Sequence, residues 1–227
     1  MSKKQLNWKE MGRVFSVFLD LFRIIRDTFA AHGIGPEIIS WVTGEGKDAF
    51  VEEFLKPLGE QFLANQRVIV VDDTTIRVNL GAPPMLPFDG ATVETNKGGG
   101  WVTVQKRADG LYVDGRKVIL NRSERQKDGK VVRGYALRDE VTNLPVLHPN
   151  IMDALCEYSS HLIPDGWNKD EDGNAIFIYF WAVTFRKSGG NVCVRYLYWG
   201  RGAWRRLYFW LSDDWGGRSP AAVLASN

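Results

Sequence analysis

The sequence is poor in the residues that build covalent or metal-held scaffolds. Two cysteines (Cys156, Cys193) and three histidines (His32, His148, His161) in 227 residues exclude a disulfide framework and leave too few ligands for a structural zinc site. No apolar run of about 18 residues occurs, so no segment reads as a membrane-spanning helix. Charge of one sign is also missing: 29 Lys+Arg against 27 Asp+Glu give a net charge of +2, with no whole-chain footprint for nucleic acid. The basic start is not followed by a clean h-region, since Arg13, Asp20, Arg23 and Arg26 interrupt it, and a cytoplasmic protein is the expectation.

Catalytic spacings are missing as well. There is no HExxH pair, dinucleotide fingerprint or nucleophile elbow, and no spacing that sets a nucleophile beside a base. A non-enzymatic protein without cofactor or metal is therefore expected. Gly44-Glu45-Gly46-Lys47 lacks the four-residue spacer and following Ser/Thr of a phosphate loop, and reads as a helix–helix turn. Adjacent Asp72 and Asp73 would point to opposite faces of a strand, which favours a turn over a paired-carboxylate site. His148 and His161 have no co-ligand at metal spacing and are expected in structural or surface roles. Cys156, at helical spacing from Met152, reads as a packed thiol.

What remains is an ordinary apolar fraction, 44%, enough for a sizeable core, arranged unevenly. Residues 1–65 read as a helical region. Met11, Val14, Phe15, Phe18, Leu21, Phe22, Ile25 and Phe29 recur at three- and four-residue steps. Gly33-Ile34-Gly35-Pro36 stops that helix. A short helix over 36–42 follows, then one in which Phe50, Phe54, Leu55, Leu58 and Phe62 share a face and Pro57 makes a kink or break. An exposed Phe stripe would favour self-association through these helices; burial against the second helix is the alternative.

Residues 66–227 read as β-rich. Strands are expected at 68–71, 75–80, 101–105, 111–113, 117–120 and 131–137, divided by Gly98-Gly99-Gly100, Asp109-Gly110, Asp114-Gly115 and Asp128-Gly129. A helix is expected over 150–162, with Asn150 as N-cap and Asp153 in its first turn. Ile176–Val183 is nearly all apolar, as for a central strand covered on both faces. Val192–Trp199 and Trp204–Leu211 flank Gly200-Arg201-Gly202-Ala203, which reads as a hairpin with a four-residue turn. Period-2 alternation places Arg195, Leu197, Trp199, Trp204, Arg206, Tyr208 and Trp210 on one face. Tyr196, Tyr198, Gly200, Arg205, Leu207 and Phe209 lie on the other. A core needs only one of these faces, and the surplus has the composition of a recognition surface. Arg206 is the exception, because an aromatic would suit its inward position better.

The stretch Phe180-Trp181-Ala182-Val183-Thr184-Phe185-Arg186, then Gly-Gly-x-Val192-x-Val194-Arg195-Tyr196-Leu197-Tyr198-Trp199, Gly202-x-Trp204, Tyr208-x-Trp210-Leu211, Asp214-Trp215 and Pro220–Ser226, resembles the C-terminal part of variable proteins from diversity-generating retroelements. In that family a reverse transcriptase copies a template repeat with errors at adenines and overwrites the variable region, AAC codons being favoured targets. Replacing the adenines of AAC yields Tyr, Arg, Gly, Ser, Asp, Leu and Phe, among others, but never Trp. The tryptophans Trp199, Trp204, Trp210 and Trp215 match fixed scaffold points. Tyr196, Tyr198, Gly200, Arg201, Arg205, Leu207, Phe209, Ser212, Asp213, Gly216, Gly217 and Arg218 match variable, ligand-contacting positions.

The resemblance covers about residues 176–227, with a weaker lead-in over 147–167. It implies an α+β, C-type-lectin-like fold in which a mixed, mostly antiparallel β domain displays variable residues on a rigid hairpin. It further implies a non-enzymatic binder of an unidentified ligand, protein or other macromolecule, with aromatic and Arg anchors as in a paratope. Calcium is not implied, because Asp213 and Asp214 alone are too few ligands. The alternative is a nucleic-acid-binding module using Arg195, Arg201, Arg205, Arg206 and Arg218 interleaved with Tyr and Phe.

Overall fold

The computed structural model describes residues 23–24, 26–33, 35, 40–41, 44–57 and 66–226. The chain divides into two compact units, Met1–Phe62 and Leu63–Asn227. In the first, residues 23–24 and 26–31 are helical and Gly33 closes them in the left-handed region (φ 73°), where a glycine carries no Cβ penalty. Gly44–Gly46 form a turn ahead of a helix over Lys47–Phe50. That helix widens into π-helical turns over Val51–Leu55, just before Pro57. The expected apolar stripe over Met11–Ile25, most of the short helix over 36–42, and the side chains of Phe54, Leu58 and Phe62 lie outside the described residues.

The second unit is mixed α+β, mostly one curled, ten-stranded and largely antiparallel sheet. Its strands are β1 (Val68–Asp72), β2 (Thr75–Asn79), β3 (Thr92–Asn96), β4 (Trp101–Arg107), β5 (Gly110–Val113), β6 (Arg116–Asn121), β8 (Ile178–Arg186), β9 (Val192–Gly200), β10 (Ala203–Trp210) and β12 (Ala221–Leu224). The spatial order is β1-β2-β4-β5-β6-β12-β8-β9-β10, with β3 also on β8. The short β7 (Val132–Arg133) and β11 (Asp214–Trp215) pair separately. β6 makes the curl, pairing with β5 through Arg116 and Lys117 and with β12 through Val118–Asn121. β12 against β8 is the parallel contact.

Two helices complete the unit: α1 (Gly134–Val141) and α2 (Pro149–Tyr158). α1 corrects the strand expected over 131–137, where only Val132 and Arg133 pair. At Gly134 an added Cβ would come within 2.6 Å of Trp215 Nε1 and 2.7 Å of Leu211 Cα, so the chain turns helical at its closest approach to the 211–215 segment. α2 is shorter than expected and is capped by His148, whose Nδ1 accepts from the Asn150 N–H (3.1 Å). Asn150 instead spends its side-chain amide on Asn79 O and Ala82 O, 2.9 Å each. β3 was not expected, because Thr-Val-Glu-Thr-Asn carries no apolar alternation to mark it.

The largest apolar cluster lies between the sheet and α2, with Ile76, Val104, Leu111, Met152, Leu155, Phe180 and Leu197 at its centre. A second lies on the opposite face of β8 and β9 under α1, built from Leu137, Val141, Tyr179, Trp181, Val194, Leu211 and Trp215. β8 is accordingly buried on both faces from Ile178 through Phe185. Among the described residues no helix is long and apolar enough to cross a membrane.

Candidate functional site

The hairpin register agrees with period-2 sorting. Trp204 stands opposite Trp199, Arg206 opposite Leu197 and Tyr208 opposite Arg195, while Arg205 faces Tyr198 and Leu207 faces Tyr196. The turn is tighter than expected. β9 runs to Gly200 and β10 starts at Ala203, leaving Arg201 (φ 55°) and Gly202 (φ 76°) as the turn residues. Two successive positive φ values match the right-handed twist of the strands.

The idea that only one hairpin face is needed for a core is corrected. The Arg195–Trp210 face is roofed by α2 and by the 82–91 segment, whose Phe88 ring packs on Tyr208 (5.0 Å) and Trp210 (5.7 Å). The opposite face is covered at its base, over Val192 and Val194, by α1 and by Leu211 and Trp215. Tyr196 is 9% exposed, in edge and tilted contact with Phe177 (5.6 Å) and Tyr179 (5.0 Å). Of the four tryptophans read as scaffold, Trp215 is fully buried, 0% exposed. Its ring lies 4.1 Å from Tyr179 and its Nε1 donates to Trp210 O (3.2 Å). Trp199, Trp204 and Trp210 are half-buried, the first two meeting edge to face at 5.4 Å near the turn.

Arg206 has a physical reason that an aromatic would not serve. Asp153 on α2 receives two hydrogen bonds from Arg195, at 2.7 Å each, and a third from Arg206 at 2.9 Å. Arg206 also donates to Glu157 (2.8 Å), and Arg195 to Met85 O (3.2 Å). Arg195 and Asp153 are 5% and 6% exposed. Two buried charges persist only when paired and hydrogen-bonded, and this fork pins the hairpin to α2.

The other face opens into a groove of about 1050 Å³. Its floor is aromatic: Phe177, Tyr179, Tyr196 and Phe209. Gly216, Gly217 and Arg218 form part of its wall, and the Arg218 guanidinium lies 6.0 Å over the Phe177 ring. The groove thus brings together Tyr196, Phe209, Gly216, Gly217 and Arg218. Tyr198, Gly200, Arg201, Arg205 and Leu207 lie along the hairpin toward its turn, with Leu207 48% exposed. Ser212 and Asp213 sit in the turn after β10. Burial pushes the Tyr179 phenol well above its ordinary range and raises that of Tyr196, so both are neutral hydrogen-bonding and stacking surfaces.

Gln126, 1% exposed, holds the far wall. Its amide donates to Gly216 O (3.0 Å) and Ser219 O (3.1 Å), and its oxygen accepts from Ser123 N–H (3.0 Å) in a capping box. The Ser-x-x-Gln spacing of that box stands in the sequence, whereas nothing local marks Phe177 and Tyr179 as floor. Charges around the groove are mixed: Arg122, Lys127, Lys169 and Arg218 against Asp128, Asp170, Glu171, Asp172 and Asp214.

Elsewhere the structure places the remaining candidates. Asp72 ends β1 and its carboxylate accepts from Thr74 N–H and Oγ1, both 2.8 Å, which holds it below the usual range in an exposed turn. His148 is buried, with Nε2 3.1 Å from Asn96 Oδ1, and burial lowers its pKa to about 4. Because Nδ1 accepts, Nε2 carries the proton and donates. The His161 Nε2 donates to Asp73 O (2.8 Å). Burial pushes the thiols of Cys156 and Cys193 up to about 12. Among the described residues no three His, Cys, Asp or Glu side chains are grouped to share a metal ion. No family model, curated protein or solved structure matches the chain.

Proposed function

We propose that the chain is a non-enzymatic binding protein of the retroelement-diversified kind, C-type-lectin-like in its C-terminal part. Its ligand would be taken at the aromatic groove and the adjoining hairpin face. What supports this is the spatial grouping of AAC-reachable residues. Tyr198, Arg205, Leu207 and Phe209 share one hairpin face, and Gly216, Gly217 and Arg218 continue it along the groove wall. Trp215, which no AAC-derived codon encodes, lies between them in sequence and is wholly buried. Of the displayed side chains, Phe209 meets the Trp215 ring edge to face at 5.2 Å, while Arg205 and Leu207 are exposed; at Gly217 an added Cβ would meet Gln126 O at 2.9 Å. At Gly216 a Cβ would meet only Val131 Cγ1 at 3.8 Å, so the backbone accepts a side chain there without strain.

The nucleic-acid alternative is weakened at this surface. Arg195 and Arg206, two of its five arginines, face α2 and are consumed by Asp153 and Glu157. The groove itself carries as many acids as bases to within one charge, a poor match to a polyanion. The test is a library in which Tyr198, Arg205, Leu207, Phe209, Gly216 and Arg218 vary over AAC-reachable residues. Most members should fold with melting temperatures near the parent's and yield binders on selection. General loss of folding would refute a display surface.

A further inference from the structure

A second surface lies far along the sheet from the hairpin, on the half made of β1, β2, β4, β5 and β6. Alternation along β4 turns Val104 into the core and sends Trp101, Thr103, Gln105 and Arg107 to the opposite face. Cross-strand register adds Arg77 beside Thr103, Tyr112 beside Gln105, and Lys117 beside Tyr112. The result is a polar face with two aromatic rings, each carrying a guanidinium. Arg77 lies 5.4 Å over the Trp101 ring and Arg107 lies 4.1 Å over Tyr112.

Among the described residues this face carries Arg77, Arg107 and Lys117 against Asp109 and Asp114, the latter accepting from the Thr103 N–H (2.8 Å). Lys117 is tied to Asp109 (2.9 Å), which also accepts from the Tyr112 hydroxyl (2.7 Å). Arg107 bonds to neutral Gln105 (3.0 Å), and neither Arg77 nor Arg107 pairs with a carboxylate among the described residues. Two guanidiniums without a carboxylate partner among the described residues, next to two flat rings, meet the two demands of a single strand: phosphate charge and an unstacked base. Trp101 and Tyr112 stand four residues apart along the ladder and one strand over, about 13–14 Å, a span that several nucleotides of an extended strand would cross. A duplex offers no free base faces to these rings.

We propose that this face binds single-stranded nucleic acid, with bases stacking at Trp101 and Tyr112 while Arg77 and Arg107 contact phosphates. The surface is separate from the groove, and the proposal stands or falls without it.

The test is fluorescence polarisation of the full-length protein with fluorescein-labelled 12-nucleotide oligo(U) and oligo(dT), and with a duplex of the same length. Single strands should bind better than the duplex. Two phosphate contacts predict that raising salt from 50 to 200 mM weakens binding about sevenfold. Arg77→Glu with Arg107→Glu should abolish binding, and Trp101→Ala should weaken it about tenfold or more. Because the arginines are exposed, their charge-reversed variant keeps the parent's melting temperature and serves as the informative case if Trp101→Ala misfolds. Arg201→Ala and Arg205→Ala, on the separate hairpin surface, should leave oligonucleotide binding unchanged, whatever they do to the ligand of the groove. Absence of binding at 50 mM salt would overturn the proposal. So would equal binding of single strand and duplex, or loss through the hairpin variants instead.

Discussion

Removing Asp153 tests whether the hairpin is held by a buried ionic fork. Its carboxylate accepts three charge-assisted hydrogen bonds, at 2.7, 2.7 and 2.9 Å. Asp153→Ala leaves the Arg195 guanidinium unpaired at a site 5% exposed to water. Stranding one member of a buried pair costs about 3–5 kcal/mol. In a chain of this size that lowers the melting temperature by roughly 10 °C. Arg195→Ala should cost a similar amount, since it strands the carboxylate. The double variant removes both charges and should cost far less than the sum, leaving a coupling of at least about 2 kcal/mol. Glu157→Ala, at the wetter end of the network, should change stability by under about 1 kcal/mol. Urea unfolding followed by far-ultraviolet circular dichroism measures all four. Additive losses in the double variant, or an Asp153→Ala cost below about 1 kcal/mol, would refute the pinning role.

Burial separates the tryptophans. Trp215→Ala should cost about 3–5 kcal/mol, whereas Trp199→Ala removes a half-buried ring at the hairpin tip and should cost about 1–2 kcal/mol; equal losses in urea melts would contradict the packing described. His148 couples stability to pH. Its native pKa of about 4 lies below the unfolded value of about 6.5, so only the unfolded chain takes up this proton between those values. Stability from this group is present above pH 6.5 and falls as pH drops toward 4, by about 3 kcal/mol in all. His148→Asn should flatten that slope in urea midpoints taken from pH 7 to 4.5, and an unchanged slope would count against it. With thiols raised to about 12 by burial, Cys156 and Cys193 should resist a disulfide reagent at pH 8 in the native protein and react fully in urea; native reactivity at Cys193 would show that its site opens.

Local pattern was enough for the β-rich half where turn chemistry and alternation agree. Asp114-Gly115 adopt positive φ values of 47° and 78° between β5 and β6, and the hairpin faces follow from period 2. What local pattern cannot carry is the roof over each face. Both hairpin faces hold large side chains, and α2, α1 and the 82–91 segment decide which of them reach water. Tyr196 is therefore buried in the groove floor and Trp199 is half-buried near the turn. Arg206 looked out of place because its partners, Asp153 and Glu157, lie about fifty residues earlier. Val131–Leu137 has strand composition, but Gly134 must fit against Trp215, and that tertiary contact overrides propensity. Phe177 and Tyr179 sit in an apolar run where period alone does not separate groove floor from buried strand.

The most direct test of the proposed retroelement diversification is to sequence the DNA flanking the gene. A diversified surface predicts a near-copy of codons 196–219 that differs almost only where the copy has adenine, beside a reverse-transcriptase frame. The differences should fall at Tyr198, Arg205, Leu207, Phe209 and Gly216–Arg218 and spare the Trp215 codon. Flanks without such a repeat, or with one whose differences strike the tryptophan codons, would contradict it.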